Sequence, residues 1–435
     1  MFKKIQLQLN KNIDNAPLIV FRILFGFLIA CECFGAILSG WVSRVFIESD
    51  FNFPFIGFQW LDILHGEVMY LYFALMGLLG ILIMLGAKYR FAVISFTLLW
   101  AGVYFAQKSS YNNHYYLVLI IGLFMCFFPA NTSISFDAKW NHKMKSNLMP
   151  YWVSLILIFQ ISIVYFFSGI AKFYPDWIEG TFTKNLLKGS TSIVYFQNLF
   201  SKEWFYLFIA YSGVCFDLFI VPFLWIKKTR TTAFIASLFF HVFNAVFLQI
   251  GIFPFFALSF ILFFYEPKTI RKLFLSKKEV VVIENKMPQK TSLVFYILIP
   301  FLIIQLLLPI RHCFIKGDVL WTEEGHRLSW RMMLRSRDGY INIYVVDHNT
   351  HIKSAYYSHQ KLTYKQRYAL KTKPDFIWQY CQHIKKEFEG KNISIYIDCK
   401  NSINGKRHYT LIDPKQDFAK AKWNYFFHND WILLH

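Results

Sequence analysis

Charge is scarce in this chain of 435 residues: Asp, Glu, Lys and Arg make up 17% of it, against about 25% in an ordinary soluble domain. Acids are scarcer still, 26 against 46 Lys and Arg. Cysteine is limited to seven residues, with no CxxC and no Cys/His spacing of a metal site. No nucleophile elbow, P-loop, HExxH or dinucleotide fingerprint occurs. These shortages exclude the common soluble enzyme classes, a metal centre and a disordered chain. Apolar residues, in contrast, reach 56%, including 50 Phe and 25 Tyr, and the mean hydropathy is +0.36. They form long runs through the first 310 residues and thin out afterwards.

A membrane span needs about 20 mostly apolar residues. Nine segments qualify: 17–39, 66–86, 90–107, 114–129, 150–171, 203–226, 231–249, 252–265 and 292–309. Three of them (90–107, 114–129 and 252–265) are short and read as tilted, re-entrant or protein-buried. The expected fold class is a membrane all-α bundle of about nine transmembrane helices, residues 1–310. A small α+β, strand-rich outer-face domain, residues 311–435, follows it. The first run begins near Pro17 and holds Arg22 and Glu32, so it reads as retained and not as a cleaved signal.

The net charge of +20 does not point to nucleic acid, because the cations lie in short clusters between apolar runs. With the N-terminus inside, 18 cations fall on inside loops: Lys3, Lys4, Lys11, Lys88, Arg90, Lys139, Lys143, Lys145, Lys227, Lys228, Arg230, Lys268, Arg271, Lys272, Lys277, Lys278, Lys286 and Lys290. Six fall outside: Arg44, Lys108, Lys172, Lys184, Lys188 and Lys202. That asymmetry places residues 311–435 on the outer face: the periplasmic side of a bacterial inner membrane, or the lumen of an endoplasmic reticulum. Asn-x-Ser/Thr sites occur at Asn131, on the cytoplasmic side in this reading, and at Asn392.

The tail carries 21 Lys and Arg against 12 Asp and Glu. Period-two alternation predicts strands through Ile341, Ile343 and Val345 and through Ile393, Ile395 and Ile397. Asn404-Gly405 is a hairpin signal before Tyr409 and Leu411. Pro374-Asp375 opens an amphipathic helix with Phe376, Ile377, Tyr380, Ile384 and Phe388 on one face. A Cys381–Cys399 disulfide is a further possibility if the tail meets an oxidising compartment.

Ionisable groups inside a membrane are costly, so each one in an apolar run is a functional candidate. Lys172 closes the run 163–171 and is followed by Phe173-Tyr174-Pro175. Such surroundings disfavour its charged form and suit a general base; the competing reading is a lysine that snorkels to the interface. Asn112-Asn113-His114 enters the fourth run among Tyr111, Tyr115 and Tyr116, either as a site or as a helix cap. His241 and Asn244 share one helical face, either as a site or as an interhelical hydrogen-bonding pair. Arg22, Glu32 and Asp217 read as buried structural ion pairs. Beyond the last span, Ser329-Trp330-Arg331-Met332-Met333-Leu334-Arg335-Ser336-Arg337 supplies three arginines that suit an acidic group or anionic lipid.

In order along the chain, these pieces resemble the vitamin K-dependent gamma-glutamyl carboxylases and their bacterial relatives. The resemblance runs through Val20-Phe21-Arg22, Met84-Leu85-Gly86, Asn112-Asn113-His114, Ile163-Val164-Tyr165-Phe166, Gly169, Lys172 and Asp176-Trp177. It continues through Asp217, Phe240-His241, Asn244, Ser329-Trp330, Met332-Met333, Ser336-Arg337, Ile395-Tyr396-Ile397-Asp398 and Asp413-Pro414. It implies that reduced vitamin K loses a proton to a buried lysine, that O2 converts the anion to a strong base, and that this base removes a glutamate γ-proton. CO2 then adds and vitamin K leaves as its epoxide, with no metal. The implied catalytic residues are Lys172 and His114. Asn112, Asn113, His241, Asn244, Ser329, Trp330, Met332, Met333 and Arg337 are the implied quinone and substrate contacts. The implied partners are a lipid quinone, a glutamate-containing peptide or protein, and membrane lipid.

Arg337, which matches the family position, is expected to meet the glutamate carboxylate, since its planar fork pairs both oxygens. The sequence also departs from the family. Arg331 stands where the animal enzymes carry an acid, Arg335 where they carry His, and His326 where they carry Tyr. The chain stops at His435, so the larger outer part that grips a propeptide is expected to be missing. Two competing readings are a quinone-linked membrane enzyme with a changed reaction and a non-enzymatic membrane carrier or chaperone. The absence of internal repeats weighs against the carrier.

Overall fold

The structure is a computed structural model that describes residues 8–188, 190–191, 193–279, 292–357 and 362–435. Lys3, Lys4, Lys286 and Lys290, four of the counted topology cations, lie outside the described residues.

Helices dominate the first two thirds of the chain. Six have the length and apolarity to cross a membrane: α1 (Ala16–Leu38), α2 (Val68–Leu85), α3 (Tyr89–Ala106), α5 (Tyr151–Ile170), α6 (Glu203–Trp225) and α7 (Arg230–Phe247). The expected segment 90–107 is therefore of spanning length. The other three expected spans correspond to shorter apolar helices, at Asn113–Phe127 (α4), Phe253–Phe263 (α8) and Leu298–Phe314 (α9). The count of nine is thus not reached by helix length. At 1.5 Å per residue, the 15 residues of α4 extend about 22 Å, short of a hydrocarbon core of about 30 Å.

Local chemistry explains the helix ends. Pro17 sits in the first turn of α1, where its missing N–H costs nothing. Gly86, at φ 64°, ends α2 in the left-handed conformation and its N–H caps the Ile83 carbonyl. On α3, Phe91, Ile94 and Leu98 are exposed at helical spacing, as a lipid-facing stripe requires, while Ala92, Val93 and Phe96 are buried. Helices α1 and α2 approach closely because Gly26 has no side chain. A Cβ there would lie 2.7 Å from the Gly80 carbonyl oxygen.

The expected ion pairs among Arg22, Glu32 and Asp217 form only in part. Arg22 donates instead to the carbonyls of Ala130 and Ile134, at 2.9 and 2.7 Å, and Glu32 accepts from the Tyr115 hydroxyl. Neither forms a salt bridge among the described residues, and Arg22 Nε is buried without a hydrogen-bond partner there.

The C-terminal part is a four-stranded antiparallel sheet in the order β4–β3–β5–β6, with β3 at Arg337–Asp347, β4 at Ile352–Tyr356, β5 at Ile393–Ile403 and β6 at Tyr409–Thr410. (Strands β1, Asn12–Asp14, and β2, Leu148–Pro150, pair separately near the N-terminus.) The alternating isoleucines face one another across the central ladder, with Ile343 opposite Ile397 and Val345 opposite Ile395. Asn404 and Gly405 both take positive φ in the β5–β6 connection. Helix α11 (Pro374–Glu387), preceded by α10 (Tyr364–Thr372), buries Phe376, Ile377, Tyr380 and Ile384 on the sheet. Cys381 and Cys399 are both buried and free, which corrects the suggested disulfide. The Cys399 thiol instead points to the Lys371 carbonyl.

This region contacts the helices through specific groups. Phe51 and Phe53, from the loop after α1, enter its core against Tyr380 and Phe376. Lys108, after α3, places its Nζ 2.6 Å from Asp375 Oδ2, and Arg327 clamps both oxygens of the same carboxylate at 2.8 and 3.2 Å. Asp176 accepts from Asn404 Nδ2 and Lys406 Nζ.

A candidate active site between the helices and the outer sheet

A cavity of about 920 Å³ lies between α4, α5, α6 and α7 and the segment 323–333. Its walls are mainly aromatic and apolar, with a few convergent polar groups, and its size falls in the range of ligand pockets. Lys172 lines it just past the C-terminus of α5. Its Nζ donates to Asp217 Oδ2 at 2.6 Å and to Ser168 Oγ at 2.8 Å, and lies 5.2 Å from the Trp177 ring centre. Gly169 permits this pairing. A Cβ there would meet the Leu218 side chain at 2.7 Å and Asp217 Cβ at 3.3 Å, so only glycine lets α5 pack this closely on α6.

His114 lines the same cavity, with its ring 5.7 Å from that of Phe253. Asn112 both lines the cavity and caps α4, accepting from the Tyr115 N–H at 2.8 Å. Asn113 accepts from the Tyr111 hydroxyl and donates to the Arg331 carbonyl at 3.3 Å, tying α4 to the segment 323–333. His241 and Asn244 line the α7 wall; the His241 Nε2 meets the Tyr165 hydroxyl at 2.9 Å, and its Nδ1 has no partner among the described residues. Met332 and Met333 complete the list of expected residues that reach the cavity.

Ser329, Trp330 and Arg337 do not line it. Ser329 donates to the Gly325 carbonyl and accepts from Arg311, while Trp330 stacks on Tyr116. Arg337 is buried and spends its guanidinium on Glu323 Oε1, at 2.9 Å, and on the Leu320 and Trp321 carbonyls. The expectation that Arg337 meets a substrate carboxylate finds its guanidinium already holding one of the protein's own.

Glu323 does line the cavity and is also held by Arg335. Burial alone would raise its carboxyl, but the guanidiniums of Arg335 and Arg337 hold it well below the usual carboxylate range. Burial, with Arg335 beside it, keeps the His326 ring neutral. Four non-glycine residues of this segment, Glu323, Leu328, Trp330 and Met333, adopt positive φ. Such conformations persist only where the surroundings fix them, and they concentrate at functional sites.

Sequence reasoning did not foresee Tyr165, Ser168, Trp177, Glu323, Arg327 and Lys373 as cavity residues, and it placed Asp217 in a structural pair without naming its partner. Asp217 carried the only usable signal, as an acid deep in an apolar run. Glu323 and Lys373 carried none, because charged residues in the tail look like solvated surface.

Residues 10–268 match the HTTM domain family, and residues 290–435 match the lumenal domain of vitamin K-dependent gamma-carboxylase. No solved structure matches the chain. The HTTM match covers more than half of the chain and the lumenal match covers the strand-bearing region, with the cavity between them. This multi-pass membrane protein therefore belongs to the vitamin K-dependent gamma-carboxylase family.

Proposed function

We propose that this cavity binds reduced vitamin K and that the protein couples oxygenation of the quinol to carboxylation of protein glutamate. The observation that carries the reading is the convergence of Lys172, from the end of α5, His114 and Asn113, from α4, and His241 and Asn244, from α7, on one apolar cavity. When bound, the quinol with O2 supplies a base strong enough to remove a glutamate γ-proton.

The residues of the chain supply the rest. Lys172 takes the quinol proton. Transfer of its own proton to Asp217 across the 2.6 Å hydrogen bond leaves a neutral amine and a neutral acid, and the amine is then the general base. The base is thus a lysine–aspartate pair, where burial alone was the sequence argument. His114 and Asn113 orient the quinol oxygen, and the Tyr165–His241 pair closes the opposite wall. Aromatic walls exclude water, which protects reactive species from hydrolysis. Purified protein given reduced vitamin K and O2 should form the epoxide; no epoxide above a no-protein control would contradict the reading.

The proposal includes topology. Residues 1–310 form the membrane part, with the N-terminus cytoplasmic, and 311–435 form a unit on the outer face. Opposite sides for the two ends require an odd number of passes. The three short helices supply it: protein covers two of them, where Leu117–Ile121 and Phe260–Phe263 are buried, and the third, Leu298–Phe314, exposes Ile299, Ile303, Ile304 and Leu307 as a lipid-facing helix would. Reporter fusions at Lys278 and Lys391 should report opposite sides, and a shared side would rule out this arrangement.

A further inference from the structure

The wall of the cavity contributed by residues 323–373 has an excess of positive charge. Glu323, His326, Arg327, Arg331 and Lys373 all line it. Glu323 is occupied by Arg335 and Arg337, and Asp375 by Arg327 and Lys108. Two carboxylates thus already serve four cations. Arg331 and Lys373 then make no salt bridge among the described residues, although Asp318 acts on Arg331, and Glu323 and Asp375 on Lys373, from a longer distance. Arg331 Nη1 meets only the His312 ring at 3.3 Å, and its Nε is buried with no hydrogen-bond partner. Lys373 Nζ lies over the Phe376 ring at 5.7 Å. Burial, with Arg327 beside it, pushes Lys373 down to about 8 against the opposing pull of Glu323 and Asp375. Unpaired charge in a water-poor site is costly unless an anion arrives to meet it.

Arg331 also lines a second, outward-facing groove with Tyr174, Asp176, His312, Lys406 and Arg407. It therefore stands where a polymer lying in the groove would send one side chain into the cavity. The sequence reading set Arg331 aside because it departs from the family pattern. The contacts favour Arg331: Arg337 lies outside the cavity and is salt-bridged to Glu323, whereas Arg331 lines the cavity and makes no salt bridge among the described residues.

We propose that Arg331 and Lys373 seat a carboxylate at the outer-domain end of the cavity, that of a glutamyl side chain from a peptide lying in the groove. This rests on the functional reading above. Bicarbonate offers the same carboxylate chemistry from a second source.

The test is equilibrium binding of a fluorescent glutamyl peptide, its glutaminyl twin and bicarbonate to the purified full-length chain. Wild type should bind the glutamyl peptide at least about tenfold more tightly than the twin, the scale of a charged hydrogen bond. Arg331→Gln and Lys373→Gln should each erode that preference, and Arg331→Lys should restore part of it. If the two peptides bind alike but bicarbonate protects wild type from thermal unfolding and fails to protect either variant, the seat stands with bicarbonate as its occupant. If neither the peptide preference nor bicarbonate protection changes in a folded Arg331 or Lys373 variant, the seat does not exist. The two substitutions lie on different elements, so misfolding of one leaves the other to decide. Epoxide formation, measured separately, judges the quinone reaction; its absence would overturn that reading and leave the binding data to judge the seat.

Discussion

Replacing Lys172 by alanine is expected to lower vitamin K epoxide formation by on the order of 10²–10⁴, the usual cost of removing a general base. Interpretation needs care, because Lys172 is also half of a buried ion pair. Alanine leaves Asp217 without its cation, and breaking a buried pair from one side costs about 3–5 kcal/mol. Loss of activity in Lys172→Ala would therefore fit both a catalytic and a purely structural lysine. Lys172→Arg separates them. Arginine keeps a cation beside Asp217 but does not give up its proton, so it cannot serve as the base. The account expects Lys172→Arg to unfold near the wild-type temperature and still lack epoxidation, and a small exogenous amine to restore part of the activity of Lys172→Ala. An Arg variant with near-normal epoxide formation would remove Lys172 from the catalytic role.

The second large effect is expected at Asp375, which does not itself line the cavity. Its carboxylate joins Lys108, on the loop after α3, to Arg327, in the outer segment, and all three side chains are largely buried. Asp375→Asn leaves two buried cations without an anion, which should destabilise the chain by about 3–5 kcal/mol, measured by thermal or denaturant unfolding. The pH dependence has a definite sign. Burial alone would raise the Asp375 carboxyl, but Arg327 and Lys108 hold it well below the carboxylate range. Its contribution is therefore complete above the unfolded value of about 4 and is lost as pH falls through the lower folded value. Wild type should lose stability in that acid window, and the Asn variant should lack this component. Equal stability of the two proteins at neutral pH would show that the triad does not hold the outer region to the helices.

Patterns that depend on a single element were legible in the sequence. Apolar runs announced the helices because a chain in lipid must satisfy its backbone within each segment. Alternating isoleucines announced β3 and β5, and Asn404-Gly405 the connection to β6. The polar clusters that line the cavity were legible as well, since a histidine or lysine in an apolar run stands out. Pairings that depend on packing were not. Lys172 meets Asp217 only because Gly169 lets two helices close on each other, and no spacing rule reports that. Lys108 was counted as a topology charge, yet it is buried against Asp375, 267 residues away. Arg337 looked free for substrate because its partner, Glu323, lies in an irregular segment with no periodicity to read. Helix length was less legible: hydropathy reports apolar residues, whereas α4 is covered by protein and is shorter than the bilayer.

The central claim is that one cavity drives both quinol oxygenation and glutamate carboxylation. The most direct test supplies purified protein with reduced vitamin K, O2, labelled bicarbonate and a glutamyl peptide, and measures epoxide and labelled peptide separately in each reaction. The account predicts both products from wild type, no labelled product from a glutaminyl peptide, and loss of both products in Lys172→Arg. Epoxide without labelled peptide, across glutamyl peptides of different sequence, would contradict the coupling, and neither product would contradict the account as a whole.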